Sequence, residues 1–213
     1  MHAHPPLRTT HVTASPKNLL VYDRWGQFGR PVVLLHGLLF DRTMWWPVAA
    51  ELVKDCTVIA PDLPGHGDSP ARADYSLTRI SWDLAALVHS LNLHRAPIIV
   101  GHGTSAWLAT AFADTYETRH MMTVDEPDEM PRTVEDLITK AHPDHVRDAF
   151  RPLAQPCRDP ALLANYHSWF AAPPARRKAR VRLTVTGTSG GSLGCFAHLN
   201  DPAEFAAGIR SHL

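Results

Sequence analysis

The sequence predicts an α/β fold in which a mostly parallel sheet is flanked by helices. Short apolar runs rich in Val and Ile recur through the first 125 residues, and each is followed by Gly, Pro or Asp and then by a helical pattern. Runs that are apolar on both faces are typical of parallel strands covered by helices. The chain has 213 residues, a length that suits one domain with a full core. We therefore expect residues 1–213 to form a single domain.

Six apolar runs are the predicted strands, and two amphipathic runs are the clearest predicted helices. The strands span residues 19–22, 32–35, 57–60, 98–100, 121–124 and 181–186. The helices span residues 79–91 and 107–116, where apolar side chains recur at helical spacing.

The stretch 127–180 has a different character, because its short helical patterns are interrupted by proline. The prolines are Pro143, Pro152, Pro156, Pro160, Pro173 and Pro174. Proline ends or kinks a helix, so only short helices are expected here. We interpret 127–180 as an inserted helical lid.

The charge balance excludes some classes of partner. Lys and Arg total 21 and so do Asp and Glu, and no basic run is present that could neutralise a phosphate backbone or an anionic membrane surface. No stretch of 18 apolar residues or signal peptide is evident. We expect a soluble protein whose partner is a small-molecule substrate or ligand, with a homodimer left open.

Cysteine and histidine usage gives no sign of a cofactor. Cys56, Cys157 and Cys195 are odd in number and form no CxxC pair, which favours a reducing, cytoplasmic compartment. The 14 histidines are scattered, and none falls in an HxxxH or HExxH pattern. The spacing therefore predicts no metal site and no cofactor.

Three motifs in order resemble the α/β-hydrolase superfamily. They read VVLLHG at 32–37, VIAPDLPGHGDS at 58–69 and IIVGH at 98–102. The tail GCFAHLNDP at 194–202 is similar to the segment that carries the catalytic histidine in that superfamily. The resemblance implies the α/β-hydrolase fold over residues 19–125 and 181–213.

The nucleophile of the superfamily is missing from this sequence. Its G-x-S-x-G elbow reads Gly101-His102-Gly103-Thr104-Ser105, so a glycine stands at the tip. The position where the resemblance places the catalytic histidine is Cys195. The segment after the strand at 181–186 is also too short for the usual acid loop and helix, which predicts a shortened C-terminal part.

An oxyanion pocket is nevertheless predicted at the carboxyl edge of the sheet. Backbone N–H groups beyond His36 and Gly37, at Leu38, would supply one donor and Thr104 a second. The positive end of the helix at 107–116 would face the same point.

Four residues are the candidate catalytic groups. Asp125 follows the strand at 121–124, where the resemblance places the acid of some dehalogenases and cofactor-free dioxygenases. His102 is the titratable group nearest to Gly103, although a core role is the simpler interpretation. Cys195 and His198 lie in the tail, where each could serve chemistry or packing.

Ser105 and Trp107 complete the predicted pocket. Ser105 is a conceivable displaced nucleophile, but in a first helical turn it would sooner cap or pack. Trp107 stands four residues after Gly103, as a tryptophan does in the dioxygenases that the chain resembles. Five further aromatic residues could line a pocket or pack between lid and core: Phe40, Trp45, Trp46, Trp169 and Phe170.

The functional prediction follows from a retained pocket without a nucleophile. The first hypothesis is non-hydrolytic chemistry on a small carbonyl or phenolic metabolite: elimination, cyclisation, decarboxylation or cofactor-free oxygenation. The alternatives are an unconventional ester or epoxide hydrolase and a non-catalytic small-molecule-binding pseudoenzyme. A decayed gene product is the fourth reading, and cooperative unfolding would argue against it.

Overall fold

The computed structural model describes residues 8–13, 19–126, 129–140, 146–175, 181–183 and 196–213. Seven strands within these residues form one sheet in the order β1-β2-β4-β3-β5-β6-β7. The strands are β1 Thr9–Val12, β2 Val21–Trp25, β3 Pro31–Leu35, β4 Thr57–Pro61, β5 Ile98–His102, β6 His120–Val124 and β7 Val181–Leu183. β1 and β2 are antiparallel to their neighbours, and every other pair is parallel. The predicted α/β-hydrolase fold is confirmed.

The central strands β3 to β6 match their predicted positions to within two residues at either end. Their runs are buried at almost every position, as expected for strands covered on both faces. The prediction missed β1, whose sequence TTHV is largely exposed and lacks an apolar pattern. It also placed β2 too early, because β2 contains the charged residues Asp23 and Arg24. Residues 184–186 of the last predicted strand lie outside the described part of the chain.

The described residues also form eight α-helices. They are α1 Trp46–Leu52, α2 Leu77–Ser90, α3 Ser105–Thr115, α4 Val134–Lys140, α5 Pro160–Ala164, α6 His167–Ala171, α7 Ala197–Asn200 and α8 Pro202–Arg210. Two 3₁₀ turns span Arg42–Trp45 and Asp148–Ala154. α2 begins two residues before the predicted start because the Ser76 hydroxyl accepts a hydrogen bond from the Arg79 amide at 3.2 Å. No helix of the described residues is long and apolar enough to cross a membrane.

The segment predicted as a lid is helical where the structure describes it. Tyr166 and Trp169 are fully buried: the Tyr166 hydroxyl donates to the Pro64 carbonyl at 2.6 Å, and the Trp169 indole donates to the Tyr75 carbonyl at 2.8 Å. These contacts join α5 and α6 firmly to the loops that follow β4. A lid function for the segment stays a prediction.

One buried ion network connects β2 with the loops that follow β3 and β4. The guanidinium of Arg42 contacts Asp23 and Asp62, whose carboxylates are fully buried, and also the largely exposed Asp68. Asp62 additionally accepts hydrogen bonds from the backbone amides of Arg42 and Asp68. A charged strand residue such as Asp23 is thereby neutralised inside the core.

Replacing Gly101 by alanine is expected to destabilise the fold strongly. A Cβ atom at Gly101 would lie 2.4 Å from the Ser105 carbonyl oxygen, a backbone atom that cannot move without shifting α3. Overpacking of this kind costs about 1–3 kcal/mol or more. Urea denaturation measures the loss. The comparison variant is Gly37→Ala, whose Cβ would meet the His102 side chain at 3.0 Å; equal losses in both variants would contradict the argument.

Candidate active site

The turn between β5 and α3 has the geometry of a nucleophile elbow but carries no nucleophile. Gly103 adopts a positive φ of 52°, a conformation that glycine tolerates without steric cost. Its amide donates to the Val124 carbonyl at 2.9 Å, and its carbonyl accepts from the Ala106 amide at 3.1 Å. The tip is therefore held between β6 and the first turn of α3.

His102 and Asp125 meet directly beside this tip. The Nε2 atom of His102 lies 3.4 Å from Oδ2 of Asp125, and both side chains are almost completely buried. The contact is long and does not meet hydrogen-bond geometry, so neither ring nitrogen of His102 has a hydrogen-bond partner among the described residues. Phe196 stacks on the imidazole with ring centroids 5.4 Å apart, and Phe40 meets its edge at 5.6 Å.

Asp125 is held in a strained and dry position. Its φ of 51° lies in the left-handed region, where an aspartate costs less than most residues, and such strain is common at functional sites. Burial raises the pKa of the Asp125 carboxyl, while His102 and the Ala197 amide, which donates to Oδ2 at 3.2 Å, oppose that rise. A carboxyl group with an elevated pKa in a cleft is a functional-site signature.

His198 joins this pair from the tail. It is fully buried, its ring centroid lies 5.3 Å from that of His102, and Trp45 covers it at 4.4 Å. Both of its ring nitrogens lack a hydrogen-bond partner among the described residues. One ligand atom from each of His102, Asp125 and His198 lies within 4.8 Å of the others.

A small cavity adjoins His102 at the elbow. Its volume is about 10 Å³, which is roughly enough for one water molecule. The lining residues are Gly37, Leu38, Leu39, Phe40, His102, Gly103, Thr104 and Leu137. A much larger open groove of about 640 Å³ runs past Arg24 and Phe28, residues of the β2 end and the loop after it, and not past the elbow. We regard the elbow cavity as the candidate site because His102 and the glycine tip both line it.

The predicted oxyanion donors require correction at Leu38. Its amide donates to the Thr104 hydroxyl at 3.1 Å, so this donor already has a partner. In the first turn of α3 the amides of Ala106 and Trp107 donate to the carbonyls of Gly103 and Thr104, each at 3.1 Å, so the Thr104 amide is the donor that stays predicted for the pocket.

Three further pocket predictions are also corrected. His36 is buried away from the cavity, with Nε2 accepting from the Leu63 amide at 2.9 Å and Nδ1 donating to the Gly37 carbonyl at 2.9 Å. The Ser105 hydroxyl donates to the His36 carbonyl and is fully buried, so it is structural. Trp107 packs edge-on against Phe170 at 5.3 Å and does not line the cavity.

Some of the remaining predicted residues line the cavity and others do not. Gly37, Leu38, Gly103 and Thr104 line the cavity, and their role as a pocket for substrate stays a prediction; Cys195 lies outside the described residues. Of the aromatic set only Phe40 lines the cavity; the indole of Trp46 donates to Asp23 at 2.8 Å. Sequence reasoning missed Leu137 of α4 and the ring of Phe196. Phe196 could have been found from its place in the tail motif.

Buried histidines should make the protein sensitive to acid. Burial lowers the pKa of His36 to about 4 and that of His66 to about 4. In the unfolded chain both pKa values are about 6.5, so the unfolded state binds more protons between these values. The folded state is therefore favoured most above about pH 6.5, where both histidines are neutral in either state, and its free energy of unfolding falls as the pH drops toward 4. We expect the urea midpoint at pH 4.5 to lie about 1 M or more below that at pH 7.5.

Two variants test the origin of this acid sensitivity. His36→Gln keeps an acceptor and a donor but cannot titrate, and it should shrink the difference between the two pH values. His89→Gln replaces an exposed histidine of α2 and should leave the difference unchanged. An unchanged pH dependence in His36→Gln would contradict the assignment.

The chain was compared with models of known protein families. A family model described as "Alpha/beta hydrolase family" matches residues 32–210, which include the elbow, Asp125 and His198. The chain belongs to the alpha/beta hydrolase family.

The similar proteins are longer than this family member. An uncharacterized protein of Mycobacterium tuberculosis is 41% identical over 86 residues, which cover 40% of this chain and 25% of that protein. The (E)-2-((N-methylformamido)methylene)succinate hydrolase of Acinetobacter baylyi is 34% identical over 90 residues, covering 41% of this chain and 33% of the hydrolase. The solved structure of an epoxide hydrolase without ligand shares 28% identity with a TM-score of 0.52, covering 57% of this chain and 43% of that one. The chain thus spans a quarter to a third of the length of these two curated relatives.

Proposed function

We propose that this family member hydrolyses a small ester or epoxide with a water molecule in place of the missing nucleophile. The observation that supports this proposal most directly is the 3.4 Å contact between His102 and Asp125, which lies beside a glycine tip and a cavity of about 10 Å³. His102 would accept the proton of that water, and Asp125 would orient the imidazole and stabilise its charged form. A general base oriented by a carboxylate is the minimum that water-mediated hydrolysis requires.

Hydrolysis is favoured over the non-hydrolytic reactions by the comparisons. The characterised relatives named above are a succinate-derivative hydrolase and an epoxide hydrolase. No comparison supports a lyase, cyclase or pseudoenzyme, and these readings stay predictions from the sequence alone.

The proposed reaction begins with water at the glycine tip. As the water oxygen attacks the carbonyl carbon or epoxide carbon, its proton passes to His102, and the oxygen of the substrate gains negative charge. The Thr104 amide and the positive N-terminal end of α3 would stabilise that charge. In an ester the alkoxide then leaves with the proton from His102, which restores the neutral base. Because the cavity has room for about one water molecule, an ester or epoxide can reach the tip only if Leu137 and α4 move.

The test combines a substrate panel with an isotope label. The full chain is incubated with small chromogenic acetate and butyrate esters and with styrene oxide, and single-turnover reactions are run in H₂¹⁸O. Direct attack by water places ¹⁸O in the product during the first turnover. With styrene oxide, a carboxylate nucleophile would instead give an unlabelled first diol, because the incoming oxygen then comes from the protein.

A serine-directed fluorophosphonate probe completes the experiment. We expect no labelling, because the hydroxyl of Ser105 is buried and donates to a carbonyl. Ser105→Ala should retain activity within about threefold, as the residue makes only a structural hydrogen bond. Labelling at Ser105, or a cooperatively folded protein without turnover on the whole panel, would overturn the proposal.

A further inference from the structure

We propose that His102, Asp125 and His198 together bind one divalent transition-metal ion, with Zn²⁺ as the ion that their donor atoms suit best. The inference deepens the proposed function by naming a cofactor for the same site, although the binding itself can be tested without any activity. The three side chains come from the end of β5, the residue after β6, and α7.

The spacing of the donor atoms supports a metal centre. Zinc bonds to histidine nitrogen and carboxylate oxygen are about 2.0–2.2 Å long, so neighbouring donors in a tetrahedral site are roughly 3.4 Å apart. Nε2 of His102 and Oδ2 of Asp125 are 3.4 Å apart. The third donor, from His198, lies within 4.8 Å of both. A side-chain shift of about 1 Å or slightly more would complete the set.

The hydrogen-bond status of the imidazoles is the second, independent observation. His102 is 1% exposed and His198 is 0% exposed, yet none of their four ring nitrogens has a hydrogen-bond partner among the described residues. Leaving a buried polar group unsatisfied costs about 1–3 kcal/mol, and native structures rarely keep two such groups side by side. An ion between the two rings would use one nitrogen of each.

The neighbouring residues hold the three side chains in orientations that suit metal ligands. His198 is fully buried, Trp45 covers its ring at a centroid distance of 4.4 Å, and its ring centroid lies 5.3 Å from that of His102. The amide of Ala197 donates to the Asp125 carboxylate, and stacking on Phe196 restrains the ring of His102. Contacts of this kind orient ligands in metal sites.

The chemistry of the donor set selects the class of ion. Two imidazoles with one carboxylate and an open position match catalytic zinc, whereas Mg²⁺ and Ca²⁺ prefer oxygen donors alone. The open position would be left for a water molecule. The ion would lower the pKa of that water and supply hydroxide, which leaves the buried site electrically neutral, and His102 would then act as a ligand instead of a base.

The experiment measures metal binding by the full chain after treatment with a chelator and dialysis. Zn²⁺ is titrated at pH 7.5 in competition with a chromophoric chelator, and Co²⁺ is added separately to read the visible bands of tetrahedral coordination. We expect one tightly bound equivalent of Zn²⁺, intense Co²⁺ bands, and no competition from millimolar Mg²⁺. Bound Zn²⁺ should also raise the Tm by several degrees.

Three variants connect the binding to these residues. His198→Leu and Asp125→Asn should each weaken Zn²⁺ binding at least 100-fold and abolish its effect on the Tm. The control is His212→Leu, which breaks up the pair of His120 and His212, whose ring centroids are 4.8 Å apart, and should leave the tight equivalent in place. His198→Leu puts an apolar side chain into a fully buried position, and thermal unfolding without metal verifies that it folds.

The outcomes separate this inference from the proposed function. The metal site would be overturned if the wild-type chain bound no Zn²⁺ tightly, or if folded His198→Leu bound Zn²⁺ as well as the wild type. Ester hydrolysis that persists in the presence of a chelator would not rescue it. Tight binding that depends on His198, in a protein that turns over none of the panel, would support the metal site and defeat the proposed hydrolysis.

Discussion

Asp125→Asn is expected to lower hydrolysis by about 10²–10⁴-fold, the usual contribution of an oriented general base. The amide that replaces the carboxylate carries no charge, so it cannot stabilise a protonated His102 across the 3.4 Å contact, nor serve as an anionic ligand if an ion is bound. kcat/KM on the best substrate of the panel is the measured quantity. His102→Gln should produce a loss of similar size, because it removes the proton acceptor itself.

Folding should not obscure this result. Asparagine tolerates the positive φ of residue 125 at least as well as aspartate, and the substitution removes a carboxyl group from a dry position. Asp148→Asn makes the same chemical change at an exposed side chain that pairs with Arg151, and it should leave kcat/KM unaltered. If folded Asp125→Asn retained a third or more of the wild-type activity, Asp125 would have no part in the reaction.

Asp62→Ala is expected to lower the free energy of unfolding by about 3–5 kcal/mol, the typical result of removing one partner of a buried ion pair. Three groups lose their acceptor at once: the guanidinium of Arg42, its backbone amide, and the amide of Asp68. Asp23 still contacts the guanidinium, but it cannot reach all of these donors. For a domain whose total stability is about 5–15 kcal/mol, the loss could leave a large unfolded fraction at 37 °C.

The matched variant is Asp68→Ala. Asp68 also contacts Arg42, at 2.7 Å, but its side chain is 71% exposed, and an exposed ion pair contributes at most about 1 kcal/mol. Urea denaturation of both variants at pH 7.5 and at two salt concentrations gives the comparison. A loss in Asp62→Ala no larger than that in Asp68→Ala would mean that the buried network does not hold these loops.

The central strands could be predicted because their signal is local. Each run of β3 to β6 is apolar at nearly every position, which is required where helices cover both faces. β2 was harder because Asp23 is fully buried within it, and its carboxylate is balanced by Arg42 from a later loop. A pattern within one segment cannot reveal a charge partner from another.

The candidate site was predictable in its parts and not in its arrangement. Gly103, His102, Asp125 and His198 could each be selected from the elbow, from the end of β6 and from the tail. The predicted absence of a metal site rested on spacing along the chain, which detects ligands on one helix or loop but not ligands from three separate elements. The misplaced expectations have the same origin, since the partners of Leu38 and Ser105 are a hydroxyl and a carbonyl far away in sequence.

The sequence by itself therefore determined the fold class, the family motifs and the glycine at the elbow, because hydrophobic patterning and backbone preferences act between near neighbours. The tertiary structure alone decided that His102, Asp125 and His198 share one dry cluster and that His36 and Ser105 serve the scaffold. The physical reason is that burial, pKa shifts and hydrogen-bond partners depend on which distant segments the sheet brings together.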